Sequence, residues 1–131
     1  MISVDSYVTG ANGFIGKHLL SKLDGRTVAI PHSQLEYHYL DKHNRFFWLG
    51  TYGNMVGQDN QFTLWQSNIL DLINVLDRLV KRPPYSPFLF MSSSSVNLPV
   101  QTPYSRTKRA IEEILLSIPS FPACIVRPFT V

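Results

Sequence analysis

Hydrophobic positions along the chain form short continuous apolar runs and longer stretches in which apolar residues recur at helical spacing. The short runs predict strands, because a strand buried in a parallel sheet reads as a continuous apolar segment. They cover residues 1–8, 27–30, 45–50, 87–91 and 123–126. The helical spacing predicts helices over residues 14–23, 34–43, 62–82 and 104–117. Such alternation predicts a doubly wound α/β fold, with about five parallel strands in one compact domain and ligands at their carboxyl ends.

The longest predicted helix, 62–82, carries a wide apolar stripe that we expect to face the core. The stripe comprises Trp65, Ile69, Leu72, Ile73, Leu76, Leu79 and Val80. Further apolar residues lie beyond it, namely Phe62, Leu64, Leu70 and Val75. A second apolar surface of this kind either contacts a partner chain or covers loops within the monomer.

Capping patterns mark the start of two predicted helices. Ser33 with Glu36 three residues later forms a capping-box pattern and predicts the short helix 34–43, with a strand followed by a hairpin as the alternative. Thr102 and Pro103 supply an N-cap and a first-turn proline for the helix 104–117. Residues 51–60 are rich in glycine and polar side chains and are predicted to form a loop.

Composition is that of an ordinary globular protein, with 131 residues of which 44% are hydrophobic and 16% charged. The net charge of +3 is spread along the chain, which favours a solvated surface over a nucleic-acid site. The single cysteine, Cys124, excludes an internal disulfide, and its apolar strand predicts a buried structural thiol. The histidines lack metal-site spacing, so no metal is expected. Without a signal core or an apolar run of about 18 residues, we expect a cytoplasmic protein with no membrane span.

A glycine-rich turn joins the first predicted strand to the first predicted helix. It reads VTGANGFIG over residues 8–16, with Gly10, Gly13 and Gly16 spaced three apart. One glycine can take a positive φ in the turn, a second lets a pyrophosphate approach the backbone, and a third lets the helix pack closely. The free N–H groups of the helix N-terminus then face an anion. The pattern predicts a nucleotide phosphate site, with a purely structural turn as the alternative.

Tyr104 and Lys108 lie four residues apart on one predicted helix and therefore share a face. A free tyrosine, with a pKa of about 10, is a poor base at neutral pH, and a nearby cation favours its phenolate. Ser93 or Ser94, after the neighbouring strand, could hydrogen-bond the same substrate oxygen. An ordinary helix-surface pair and a serine-rich turn are the alternatives.

Together these motifs resemble the extended short-chain dehydrogenase/reductase family, the NAD-dependent epimerase/dehydratases. VTGANGFIG is followed, in the order that the family has, by FLFMSSSSV, YSRTK and CIVRPFTV. The stretch WQSNILDLINVLDRL is similar to the family's long central helix with its asparagine, here Asn68. The resemblance covers nearly the whole chain and implies a Rossmann-like NAD(P)-binding domain over residues 1–131.

The resemblance also implies roles for individual residues. The pyrophosphate would lie against Gly10, Gly13, Phe14, Ile15 and Gly16. Tyr104 would be the catalytic acid/base, Lys108 would hold the nicotinamide ribose and lower the pKa of the tyrosine, and Ser93 would be the catalytic serine, with Ser94 as the alternate. The implied reaction is hydride transfer to or from a nicotinamide, and sugar nucleotides are the commonest substrates.

The chain departs from the family pattern on the adenine side. Pro31, His32 and Ser33 follow the second strand, where the family often has an acidic residue on the adenine ribose. His32 and Ser33, with Arg26, therefore favour NADP slightly over NAD. Between Ile30 and Phe46 there is too little chain for the usual third strand. By the resemblance, Leu49 would line the nicotinamide side of the cofactor site. The strand that carries it ends in a different sequence from the one usual in the family, so this wall of the site is altered.

Two functions follow as expectations. The first is an NAD(P)-dependent oxidoreductase or epimerase/dehydratase-like protein in an unusually short form, acting on a sugar nucleotide or a similar hydroxyl or carbonyl compound. The alternative is a non-catalytic dinucleotide-binding or regulatory module without the usual C-terminal substrate lobe. Family members dimerise through two helices, which here are 62–82 and 104–117. A homodimer is therefore expected, and neither nucleic acid nor membrane is an expected partner.

Overall fold

Five parallel strands form one sheet in the computed structural model, which describes residues 4–37, 43–50, 60–81 and 83–128. The strands are β1 Val4–Thr9, β2 Thr27–Ala29, β3 His43–Trp48, β4 Phe88–Met91 and β5 Ala123–Val126. Their order across the sheet is β2-β1-β3-β4-β5. Apolar residues of neighbouring strands stand opposite one another, with Tyr7 beside Phe46 and Phe46 beside Phe88. The predicted doubly wound α/β fold with parallel strands is confirmed.

Helices connect these strands. They are α1 Phe14–Lys22, α2 Gln61–Trp65, α3 Asp71–Leu79 and α4 Pro103–Ser117. The helix α4 begins with a reciprocal cap, in which the Ser105 backbone N–H donates to Thr102 Oγ1 at 3.1 Å and the Thr102 N–H donates to Ser105 Oγ at 2.8 Å. The predicted N-cap is confirmed. Within the described residues, none of the helices has both the length and the apolarity that a membrane span needs.

The long predicted helix contains a π-helical segment, Gln66–Leu70, between α2 and α3. Because a π turn takes in an extra residue, the buried positions along residues 61–79 recur every four residues instead of following the predicted stripe. They are Leu64, Asn68, Leu72 and Leu76, with Val75 beside them. The predicted stripe is wrong at Trp65 and Ile73, which are exposed, and Leu64 and Val75 belong to the core.

Residues 32–37 form a 3-10 turn, where an α-helix over 34–43 was predicted. The alternative of a strand and hairpin is not observed over these residues either. The turn is fixed by the buried Leu35 side chain and by Arg78, whose Nη1 donates to the Leu35 carbonyl at 2.9 Å. The rest of the predicted helix, residues 38–42, and most of the predicted loop, residues 51–59, lie outside the described residues.

The two faces of the sheet are covered unequally. On one face Phe46, Phe88 and Phe90 pack with α3 and α4 in the main core. On the other, the residues that stand opposite one another are Val8, Phe47, Leu89 and Cys124. Val8 is fully buried, Phe47 and Leu89 are half-buried, and Cys124 is exposed. The continuous apolar run 45–50 predicts a strand buried on both faces, but Phe47 in β3 is only half-buried, and the predicted burial of Cys124 is wrong. Both residues lie on the face of the sheet away from α3 and α4.

Candidate functional site

The parallel strands bring their carboxyl ends to one edge of the sheet, and the residues that follow them meet there. The glycine turn follows β1, Leu49 follows β3, Ser92 follows β4 and Arg127 follows β5. The helix α4 starts at the same edge, because the Nζ atom of Lys108 donates a hydrogen bond to the carbonyl of Met91, the last residue of β4. The edge therefore collects most of the residues predicted for the site.

Two of the three turn glycines have the geometry that the sequence predicts. Gly10 has a φ of +73°, and a Cβ atom added there would lie 2.5 Å from the Gly50 backbone nitrogen. A Cβ atom on Gly16 would lie 2.1 Å from the Gly10 carbonyl oxygen. The helix α1 therefore packs directly on the turn, and only glycine fits at these two positions.

Gly13 differs from its neighbours because space is open around it. Among the described residues, only the Gly10 carbonyl oxygen, at 3.4 Å, would lie within contact distance of a Cβ atom on Gly13. Gly13 is the N-cap of α1, and no side chain in the part of the chain that the structure describes caps this helix end. Phe14 and Ile15 in the first turn are 81% and 43% exposed. Uncapped N–H groups beside open space fit an anionic group such as a dinucleotide pyrophosphate.

Thr9 fixes the position of β3 beside this turn. Its Oγ1 atom accepts hydrogen bonds from the backbone N–H groups of Leu49 and Gly50, each at 3.2 Å, and the residue is fully buried. Leu49, predicted to line the nicotinamide side, is thereby held next to Gly10. This role of Thr9 was not predicted, although a hydroxyl at the end of a buried strand is a visible signal in the sequence.

Tyr104 and Lys108 lie together on α4, as their spacing predicts. The Nζ atom of Lys108 is 5.7 Å from the centroid of the Tyr104 ring and 4.8 Å from that of Phe90. Lys108 is only 2% exposed, whereas Tyr104 is half-buried. The Lys108 ammonium thus lies between the Phe90 ring, the Tyr104 ring and the Met91 carbonyl oxygen. Tyr104, one helical turn earlier, supplies the phenol.

Burial lowers the pKa of the Lys108 ammonium to about 7, because the charged form loses its hydration. The negative charge of Glu112 opposes this change by raising the pKa of the lysine. At neutral pH the ammonium and the amine are therefore both populated. The protonated form is the one that could stabilise a phenolate at Tyr104.

The serines after β4 have separate surroundings. Ser93 Oγ accepts a hydrogen bond from the Ser95 N–H at 3.1 Å and lies 2.9 Å from Ser95 Oγ, which places it at the start of the 3-10 turn Ser94–Asn97. The Ser94 N–H donates to the Pro128 carbonyl at 3.3 Å. Ser92 is buried and donates to the Glu112 carboxylate. Ser93 and Ser94 thus lie at the predicted edge, and their neighbour Ser92 has a structural contact that the sequence did not indicate.

A buried carboxylate behind Lys108 was also missed. Glu112 is 3% exposed and accepts hydrogen bonds from Arg127 and from Ser92. Burial alone would raise the pKa of this carboxyl, but the hydrogen bonds from Arg127 and Ser92 and the charges of Arg127 and Arg109 hold it below its ordinary value. The same contact raises the pKa of Arg127. The only sequence signal was the four-residue spacing from Lys108.

The residues predicted for the adenine side are not all at this edge. Ser33 is exposed in the 3-10 turn that begins at His32, shortly after β2. Arg26 instead precedes β2, and its backbone N–H donates to Asp5 Oδ2 at 2.7 Å near the amino ends of the strands. Its predicted part in choosing NADP is therefore wrong, because the strand β2 separates it from the carboxyl edge. Among the described residues no cluster of His, Cys, Asp and Glu side chains could hold a metal ion.

Comparison with known proteins gives structural matches only. No protein-family model matches the sequence, and no curated protein matches it. RMD from Pseudomonas aeruginosa, complexed with NADPH, superposes with a TM-score of 0.75 at 22% identity over 98% of this chain and 55% of its own. UDP-N-acetylglucosamine 4-epimerase from Methanobrevibacter ruminantium M1, in complex with UDP-N-acetylmuramic acid, gives 0.76 at 19% identity over 97% and 55%. A short-chain dehydrogenase/reductase superfamily protein from Agrobacterium tumefaciens with bound NAD gives 0.73 at 21% over 93% and 48%.

This chain thus spans about half the length of these three proteins. The superpositions cover nearly all of this chain, although the sequences differ at about four positions in five. At this level of identity the match establishes the architecture. The chain has a Rossmann-like α/β fold, which it shares with these three structures.

Proposed function

We propose that the chain binds NAD(H) or NADP(H) across the carboxyl edge of its sheet and acts as an oxidoreductase or epimerase/dehydratase-like protein. One observation carries the proposal. The N-terminus of α1, at Gly13, and the buried Lys108 next to Tyr104 lie at the same carboxyl edge of the sheet. A fold shared with proteins that contain NADPH or NAD supports a nicotinamide dinucleotide as the ligand.

In this proposal the backbone N–H groups of Phe14 and Ile15 bind the pyrophosphate. They lie in the first turn of α1, whose N-terminus no described side chain caps. Leu49, held by Thr9, lines the pocket on the nicotinamide side. His32 and Ser33 follow β2 without a carboxylate between them and the strand, which favours the phosphorylated adenine ribose of NADP slightly over that of NAD.

The catalytic roles belong to α4 and to the end of β4. A bound nicotinamide supplies or accepts a hydride. Tyr104 takes or gives the proton of the substrate hydroxyl at its Oη atom, and the Lys108 ammonium favours the phenolate that does so. Ser93 Oγ hydrogen-bonds the same substrate oxygen, which its contact with Ser95 permits because a hydroxyl both donates and accepts.

We propose a sugar nucleotide, or a compound with a similar hydroxyl or carbonyl group, as the substrate. The support is that one structural match is an epimerase of UDP-N-acetylglucosamine. A non-catalytic dinucleotide-binding module is the second candidate, because the turn at Gly13 needs no catalytic side chain to bind a pyrophosphate.

Titration of NADPH and NADH into the pure chain is expected to show saturable binding of both, with NADPH the tighter ligand, by the change in nicotinamide fluorescence. With UDP-sugars present, a change in absorbance at the reduced-nicotinamide band is expected. Tyr104→Phe keeps the ring on α4 and removes the proton carrier, so it is expected to bind NADPH as the wild type does and to lose turnover at least about 100-fold.

The outcomes separate the two candidates. Binding without turnover for the wild type would leave the dinucleotide module, and full turnover by Tyr104→Phe would remove the tyrosine from the mechanism. The absence of binding for both cofactors would contradict the whole proposal.

We further propose a homodimer formed through the long helix and α4. The support is a group of exposed apolar side chains on these elements, Phe62, Trp65, Leu70, Ile73 and Leu116. Sedimentation at micromolar concentration is expected to give twice the mass of the chain. Trp65→Glu should yield a monomer, because a buried charge destabilises an apolar interface. Cys124→Ser, on the opposite face of the sheet, should leave the mass unchanged, and a monomeric wild type would contradict the proposal.

A further inference from the structure

The Glu112 carboxylate joins α4 to the ends of two strands. It accepts a hydrogen bond from the hydroxyl of Ser92, the residue after β4. It also accepts from Nε of Arg127, the residue after β5, at 3.1 Å to each carboxylate oxygen, and from Nη2 of the same side chain. With 3% of its surface exposed, the carboxylate is satisfied by protein groups.

Lys108 makes the companion contact one turn earlier on α4. Its ammonium donates to the Met91 carbonyl, so Lys108 and Glu112 hold two consecutive residues of one strand end, Met91 through its backbone and Ser92 through its side chain. Ser93 is the next residue. These two contacts hold the backbone directly before Ser93 against α4, the helix that carries Tyr104.

Glu112 also acts on the charge of Lys108. Its own pKa lies below the ordinary value because of Arg127 and Ser92, so the carboxylate stays ionised at neutral pH. Its negative charge raises the pKa of Lys108 against the effect of burial. The groups that face this carboxylate are Ser92 from the end of β4, Arg127 from the end of β5, and Lys108 and Arg109 from α4.

We infer that Glu112 is a positioning residue for the proposed reaction, because its carboxylate ties the ends of β4 and β5 to α4 and so holds Ser93 and the Lys108 ammonium at the cofactor edge. The inference rests on the proposed function. Glu112 acts only through its neighbours, since Ser92 and Arg127 occupy both of its oxygens.

The test measures NADPH affinity from about pH 6 to about pH 9 for the wild type, Glu112→Gln and Glu113→Gln. Glu113 is the matched control, because it is the next residue on α4 and is exposed. If binding requires the Lys108 ammonium, the affinity of the wild type falls as the pH rises above about 7. Glu113→Gln is expected to follow the wild type.

For Glu112→Gln we expect the pH at which affinity begins to fall to be lower by about half a unit to one unit. At about pH 8 this corresponds to an affinity about three- to tenfold weaker than that of the wild type, with a smaller difference at about pH 6. A variant that merely loosened the fold would weaken binding equally at every pH. A pH profile identical to that of the wild type would overturn the inference.

Two further measurements keep the test decisive. NMR titration of the Lys108 side chain needs no cofactor. An unchanged lysine pKa in Glu112→Gln would overturn the inference even if NADPH fails to bind, whereas failure of wild-type binding alone would contradict only the proposed function.

Ser92→Ala keeps the charge of Glu112 and frees the end of β4, so it covers the case in which Glu112→Gln does not fold. This variant is expected to bind NADPH about threefold more weakly at every pH. Wild-type affinity in Ser92→Ala would overturn the inference that Glu112 positions the end of β4.

Discussion

Gly16→Ala is expected to destabilise the protein by about 3 kcal/mol or more, while Gly13→Ala folds and loses cofactor affinity. The added methyl group of Gly16→Ala would lie 2.1 Å from the Gly10 carbonyl oxygen and 2.8 Å from the Ala11 Cα atom, both in the backbone of a tight turn. Neither neighbour can rotate away, so α1 must move off the turn, and such overpacking in a core is costly.

Gly13→Ala is the matched comparison, because the same methyl group there meets its nearest neighbour at the ordinary distance of 3.4 Å. Its φ of −75° and ψ of 170° suit alanine as well as glycine. We expect it to cost at most about 1 kcal/mol of stability. The methyl group occupies the space proposed for the pyrophosphate, so the dissociation constant for NADPH should rise about tenfold or more.

Urea unfolding and NADPH titration of both variants measure these effects. Equal stabilities for the two alanine variants would contradict the packing argument. A Gly13→Ala variant with wild-type affinity for NADPH would contradict the placement of the pyrophosphate beside that residue.

Lys108→Met is expected to stabilise the folded chain, most strongly at acidic pH. The lysine has a pKa of about 7 when folded and an ordinary value of 10.5. Below pH 7 the lysine is protonated in both states, and the folded state bears the full cost of burying the ammonium. Between these two pKa values the unfolded chain binds more protons, so the wild type gains stability as the pH rises. Methionine fills similar space without charge and removes that dependence.

The advantage of Lys108→Met over the wild type should therefore shrink by about 3 kcal/mol between about pH 6 and about pH 9.5. Thermal or urea unfolding of both proteins across this range provides the measurement. Lys81→Met is the control, since Lys81 is exposed and forms only a surface pair with Asp77, which contributes at most about 1 kcal/mol. A constant difference between Lys108→Met and the wild type would show that the ammonium is not buried at a cost. Because the proposed function uses that ammonium, the stabilised variant should bind NADPH more weakly.

Local signals in the sequence were enough for much of this fold. The glycine turn, the Thr102 cap and the strand Ala123–Val126 each depend on residues within a few positions of one another, and all three were predicted correctly. The phase of the long helix was not, because the π-helical segment Gln66–Leu70 changes the spacing and leaves no mark in the pattern of apolar residues.

The site divides in the same way. Tyr104 and Lys108 share a face because of helical geometry alone, which the sequence contains. The contact of Glu112 with Arg127 joins residues on a helix and after a strand, and depends on how α4 packs across the sheet. Arg26 was misplaced although it stands directly before the predicted strand 27–30, because ligands at the carboxyl ends of parallel strands lie at the edge opposite to the residue that precedes the strand.

Cys124 offers a direct way to follow ligand binding in solution. It is the single cysteine of the chain, it is exposed, and it lies on the opposite face of the sheet from the one that packs against α4. A maleimide fluorophore attached there would occupy one defined position without any prior substitution. Its neighbour across the sheet, Leu89, lies on the strand that ends in Met91. The emission of the label would therefore report displacements of β4 when a ligand reaches Lys108 on the far side.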